Sequence, residues 1–428
     1  MRLTPFLDHM IRLLVHRRPL YSYRPQPGTA EQSPLTGRPE SPGLKLSLPW
    51  LVLTVALVAG SSTLARAEPA ADQGAAGSPA STPAAAAPTR SASSTPSDTA
   101  DSTPPPELVF YNWTAYVDQD VVKAFEAAYN VRVVQRYYQS ADERDALLVQ
   151  NDGKGFDVLV VTAGDLPPYL KRGWLLPLDK AAIPNLKHAD RRWIDGFFGV
   201  DDYAVPYLWG TTGLVWRSDL IQEPIQSWRQ FYEPEEAWKG HVMVLNQYRI
   251  AFGMALKMLG HSFNTDDPAA VDEAVEVLRA QAPFVQSYGY FKTDADSGIV
   301  SGDTWMGQTW SGDALLLMER NPAIRYIVPE EGGELMIDYL VVPAKAAEPE
   351  LAHAFINWLQ EPVNAAACAQ ALRFATANQA AETLLPQGFR DNPVIYPPAD
   401  VLERSEVQTP VDAAIQRSMI TAWSQLIN

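Results

Sequence analysis

Residues 108–161 read LVFYNWTAYVDQDVVKAFEAAYNVRVVQRYYQSADERDALLVQNDGKGFDVLVV. Short apolar runs at 108–111, 131–136 and 157–161 are rich in β-branched and aromatic residues and read as strands. Between them the spacing turns helical: Asp118 stands as a cap before Val121, Val122 and Phe125, and residues 141–150 supply a second helix. Alternation of this kind predicts a parallel sheet with helices on its faces. In open sheets so built, ligands gather at the carboxyl ends of the strands, where the loops converge. Two such loops are residues 112–117 and 162–165. The first places Trp113, Thr114 and Tyr116 together, an aromatic cluster where a core residue is not normally needed, although packing against the following helix would account for the same rings.

The chain has 428 residues, with 46% hydrophobic and 10% aromatic content, which is the composition of a globular protein too long for one core, so two domains are expected. The amino-terminal part is different. Residues 1–67 carry eight basic and three acidic residues, an apolar run at 48–60, and the small-residue end Ala65-Arg66-Ala67, the pattern of a secretory signal with an unusually long basic region. Residues 68–106 are almost entirely Ala, Ser, Thr, Pro, Gly and Asp, too polar and small to bury a core, and read as a disordered linker. Removal of residues 1–67 takes the formal net charge from −16 to −21. Such a chain repels nucleic acid and concentrates cations at its surface.

Toward the carboxyl end a second alternation begins near residue 215. A strand at 241–245, helices at 250–259 and 268–280, strands at 324–328 and 339–343 around the 330–333 turn, helices at 350–359 and 362–372, and a last helix at 411–426 are expected. Within this half, residues 305–338 set two carboxylates, Asp313 and Asp338, among apolar and aromatic neighbours, the first following Trp310 and the second following Met336. Neither has a Lys or Arg beside it in sequence. An ionised carboxylate in apolar surroundings is costly unless a cation or several donors meet it, and aromatic faces attract an ammonium group as well. A cationic ligand fits that pattern, although a core tryptophan followed by a helix-capping Asp would read the same way.

Other chemistries have no signature here. The one cysteine, Cys368, lies in an apolar helical run and forms no internal disulfide. His188, His241, His261 and His353 have no metal-ligand spacing, and neither a nucleophile elbow, a P-loop nor a dinucleotide fingerprint is present, so no metal or cofactor is expected. Paired carboxylates leave one enzymatic alternative, hydrolysis of a glycosidic bond.

The segments FYNWTAYV, FDVLVV, VPYLWGTTGL, MALKMLG, WSGDA, EEGG, INW and the Asp338 strand together resemble the periplasmic polyamine-binding proteins of bacterial ABC transporters, over residues 108 to about 396. The resemblance implies an α/β fold of two lobes, a periplasmic binding protein fold with a hinge and a ligand cleft between lobes. It assigns residues 107–213 with 338–385 to one lobe and 214–337 with 386–428 to the other. It also implies a non-enzymatic periplasmic monomer that delivers a small polyamine to an inner-membrane permease, or alternatively presents it to a membrane sensor. The family's aromatic box carries over to Trp113, Tyr116 and Trp310, its ammonium-binding acids to Asp313 and Asp338, and its hydroxyl positions to Thr114 and Thr162. Three positions depart from the pattern: Gln247, Tyr248 and Ile250 stand where relatives carry a carboxylate, Met336 where an aromatic precedes Asp338, and Phe374 where a tyrosine is expected. With two acids in place of three, a diamine of putrescine length is expected to bind better than spermine.

Overall fold

The computed structural model describes residues 104–195 and 200–427, so the expected signal at 1–67 and nearly all of the linker at 68–106 lie outside it. β1 (Glu107–Trp113) pairs in parallel with β2 (Arg132–Tyr138) and with β3 (Val158–Thr162), and α1 (Gln119–Tyr129) and α2 (Ala141–Gln150) connect them. α1 begins at Asp118, whose carboxylate accepts from the backbone N–H groups of Asp120 and Val121. It buries Val121, Val122 and Phe125, and stops at Asn130, whose φ of 51° is a left-handed conformation asparagine tolerates.

β4 (Ala204–Arg217) is the joint of the molecule, and all of its residues are buried. Beyond it come β5 (Val242–Leu245), α3 (Tyr248–Met258), α4 (Pro268–Gln281), β6 (Val285–Gly289), β7 (Met306–Trp310), α5 (Ser311–Arg320) and β8 (Ile324–Ile327). The chain then returns through β9 (Glu334–Val341) to α6 (Pro349–Leu359), α7 (Pro362–Leu372) and β10 (Ala375–Thr376), and ends on α8 (Ala413–Ile427). The strand order is β2-β1-β3-β9-β4-β7-β5-β6, with β8 and β10 also paired to β4. Each end of the sheet is parallel as expected. The middle is not, because β9 runs antiparallel to both β3 and β4, and β4 antiparallel to β7.

Two lobes follow from this order. β4 and β9 cross between them side by side, and residues near Glu406 form a third crossing, where Leu335 N–H donates to the Glu406 carbonyl and Glu406 N–H to that of Gly333. In the first lobe, α1 and α6 cover one face of the sheet through Phe110, Phe125 and Phe355, with ring centroids 5.2 and 4.9 Å apart. In the second, α3, α4 and α8 bury Ile250, Phe252, Val271, Leu278, Met419 and Trp423. Phe389, Ile395 and Tyr396 pack with Trp209 and Tyr339 of the first lobe, and we therefore place the last change of lobe beyond residue 396 rather than at 386.

The strand expected at 339–343 begins five residues earlier, at Glu334. Glu334 and Asp338 break the apolar pattern by which a strand is recognised, yet the ladder to β4 holds them in it. Ile250, expected in the loop at the cleft, is instead 1% exposed inside the second-lobe core, because α3 starts two residues before it.

Gly253 lies on α3 where a Cβ atom would fall inside the ring of Phe263. Alanine is the better helix former by about 1 kcal/mol, but overpacking a closed core costs roughly 1–3 kcal/mol, so the second effect should win. Gly253→Ala is expected to lower the midpoint of chemical denaturation, and an unchanged or raised midpoint would show that α3 is not packed on Phe263 in this way.

Candidate ligand site at the joint of the lobes

Successive residues of β9 face opposite sides. Leu335, Ile337 and Tyr339 turn toward the first-lobe cluster around Trp193 and Trp209, and Glu334, Met336 and Asp338 toward the other face. On that second face Asp338 stands opposite Thr162 of β3, Met336 opposite Gly210, and Glu334 opposite Thr212, which in turn stands opposite Trp310 of β7. A single row thus runs from one lobe to the other.

The loop after β1 is shaped by Asn112. Its side-chain amide donates to the carbonyl of Tyr116 at 2.9 Å, and its Oδ1 accepts from the N–H of Trp113 at 2.8 Å. Tyr207 adds a hydroxyl to the same Tyr116 carbonyl at 3.3 Å. Held in this way, the Tyr116 ring enters the interior and lies edge-on to Phe374, with centroids 5.6 Å apart. Phe374 reaches on toward Gly210 and Gly312, where a Cβ atom at either position would collide with its ring. Glycine at 312 is what lets the amino end of α5 approach the first lobe.

Asp313 lies in the first turn of α5. That position favours an anion through the helix dipole, yet burial pushes its pKa up to about 7. Asp338 is also pushed up to about 7, mainly by burial, with the Tyr116 hydroxyl and Arg144 acting downward and Asp165 and Glu334 upward. Neither Asp forms an ion pair among the described residues. The Tyr116 hydroxyl lies beside Asp338 and lowers its pKa as a hydrogen-bond donor does, but Tyr116 Oη and Asp338 Oδ1, both buried, stop short of full hydrogen-bond geometry with any partner. Buried polar atoms are rarely left so unless something else completes them.

The remaining expected site residues divide. Trp310 stacks on Tyr290 with centroids 5.9 Å apart and planes 16° apart, and Gln247, just before α3, lies at the Tyr290 hydroxyl. Trp113 packs on Tyr138 at 4.4 Å, and Thr162 donates through its hydroxyl and its N–H to Asp165, both at 2.9 Å. Thr114 does not join them. It is exposed, with its hydroxyl accepting from Gln139 at 2.7 Å.

Sequence reasoning missed several neighbours. Tyr290 gave no signal because it stands in an irregular polar segment after β6. Arg144 is fully buried on α2, paired with Asp145 and Asp165 at 3.0 and 2.9 Å, and donates to Tyr169 at 2.9 Å. A basic residue therefore does lie near Asp338, brought by the fold rather than the sequence, although its own ion pairs go to other acids. Glu334 is a further buried carboxylate at the joint, 6% exposed and pushed up to about 7 by burial.

The chain matches the family model described as bacterial extracellular solute-binding protein over residues 120–395. It belongs to that family. The spermidine/putrescine-binding periplasmic protein of Salmonella typhimurium is 30% identical over 309 residues, covering 72% of this chain and 88% of that protein. The putrescine-binding periplasmic protein PotF of Escherichia coli is 28% identical over 336 residues, covering 74% of this chain and 90% of that one. In the crystal structure of the spermidine/putrescine ABC transporter substrate-binding protein PotD of Streptococcus pneumoniae, 98% of the chain aligns with 75% of this one, with 25% identity and a TM-score of 0.66. This solute-binding protein thus shares their two-lobed architecture, and the buried Glu334 and Asp338 and the half-buried Asp313 lie where the crossing strands join the lobes.

Those acids bind protons more tightly folded than unfolded. Their contribution to stability is complete below the ordinary carboxylate pKa and is lost as pH rises toward about 7. The thermal midpoint of the ligand-free protein is expected to fall from about pH 4 to about pH 7 and to level off above, and a midpoint that rises across that window would contradict the burial of uncompensated acids.

Proposed function

We propose that this chain is a non-enzymatic periplasmic protein that captures a polyamine between its lobes and hands it, as a monomer, to an inner-membrane ABC permease. The observation that carries this reading is the set of buried acids with no ion-pairing base, bordered by the rings of Tyr116, Trp310 and Phe374, with two polar atoms of the same site lacking partners. An ammonium group supplies what such a site lacks: charge for the carboxylate, donors for its oxygens, and a cation for the aromatic faces. The name of the solved Streptococcus pneumoniae relative, a spermidine/putrescine ABC transporter substrate-binding protein, supports delivery over sensing. Asp313 and Asp338 both influence the titration of the Tyr116 hydroxyl, and a diamine such as putrescine offers one ammonium group to each.

The glycoside-hydrolase alternative finds no support in the electrostatics. Hydrolysis by two carboxyls needs their pKa values pushed apart, so that one donates a proton while the other stays ionised. Asp313 and Asp338 are pushed the same way, to about 7.

Asp338→Asn keeps the shape of the side chain and removes its charge. Loss of one buried charge-assisted contact is expected to weaken putrescine binding by about 2–5 kcal/mol in calorimetric titration. An unchanged dissociation constant would place Asp338 outside the site.

A further inference from the structure

Family resemblance locates a further ammonium-binding carboxylate in the loop before α3, and this chain has none there. Position 250 is core, and Gln247 carries no charge. The structure supplies an acid from another direction. Glu334 shares one face of β9 with Met336 and Asp338, and in the next two strands its cross-strand row continues through Thr212 to Trp310. The Thr212 hydroxyl donates to Glu334 at 2.6 Å, leaving the rest of the carboxylate's accepting capacity uncommitted.

The charged and titratable groups that influence Glu334 do not account for it. Arg249 on α3 is the nearest base, but its guanidinium is committed to Asn264 Oδ1 and the Thr409 carbonyl, both at 3.0 Å, and lies over the Phe263 ring. It forms no ion pair with Glu334 among the described residues. Tyr326, whose phenol feels Glu334, has its hydroxyl bonded to Thr211. Asp338, on the same face of β9, feels Glu334 weakly as a like charge. Like charges buried together are stabilised by a polycation that reaches both.

We propose that Glu334 is a specificity-determining residue that receives the ammonium group at the end of the ligand remote from Asp338 and Tyr116, so that the site accommodates a triamine. This rests on the polyamine reading above. Four residues of strand separate the two acids by on the order of 13 Å between Cα atoms. That span suits spermidine, whose terminal nitrogens lie further apart than those of putrescine. Glu334 thereby substitutes, on a crossing strand, for the carboxylate absent before α3.

Calorimetric titration of the exported full chain with spermidine and with putrescine tests this. Wild type is expected to bind both, and Glu334→Gln, which retains an acceptor for Thr212, to weaken spermidine by about tenfold or more while leaving putrescine within about twofold. If the Gln variant does not fold, Glu334→Asp takes its place, and its shorter arm is expected to weaken spermidine selectively. Equal losses for the two amines, or no loss for spermidine, would overturn the role of Glu334 while leaving the polyamine reading intact. Failure of wild type to bind either amine would overturn both.

Discussion

A carboxylate taken out of water without a basic partner persists as a neutral acid or beside a cation that arrives from elsewhere. Two such groups, Glu334 and Asp338, with the half-buried Asp313 beside them, are set into this protein where its lobes meet, and much of the architecture serves to keep them there. β4 is buried along its whole length, so it holds β9 in register, and that register turns Glu334, Met336 and Asp338 to a common face. Glycines at 210 and 312 admit Phe374 between the lobes and bring the amino end of α5, with Asp313, up to the first lobe. The desolvation of these acids is thus a consequence of how tightly the two halves pack.

Charge is arranged by distance as much as by contact. Arg144 is buried close enough to Asp338 to favour its ionised form, yet its ion pairs go to Asp145 and Asp165. Arg249 stands in a similar relation to Glu334 on the opposite side. Asp338 and Glu334 are therefore each moderated by a base committed elsewhere, which favours ionisation without closing an ion pair on the carboxylate. A direct salt bridge would hold the acid ionised, and a ligand would then have to displace a buried guanidinium.

The parallel modules were legible because strands and helices alternate with clean periods, and Asp118 and the limits of α2 and α7 fall where sequence patterns place them. Trp113, Tyr116, Asp313 and Asp338 stood out because aromatic rings and lone acids are conspicuous in loops and apolar runs. Glu334 did not, since it follows Glu330, Glu331 and two glycines and looks like part of a solvated turn. Only the pairing of β9 with β4 shows that the strand has already begun there. Arg144 was hidden for a related reason: in the sequence ADERDALL it reads as one charge on an exposed helix, and its burial comes from Tyr138 and Tyr169, on which it packs. Thr114 erred in the other direction, a hydroxyl in the right loop that turns outward to Gln139.

The central claim is that a cation neutralises acids which are partly protonated in the free protein. Amines of ordinary basicity remain fully charged at neutral pH, so protons released on binding must come from the protein. Calorimetry of putrescine binding at neutral pH, repeated in buffers that differ in ionisation enthalpy, measures that release directly. A net release of protons is expected at pH 7, growing as the pH falls below 7 and fading above it; tight binding with no proton exchange at pH 7 would contradict the claim.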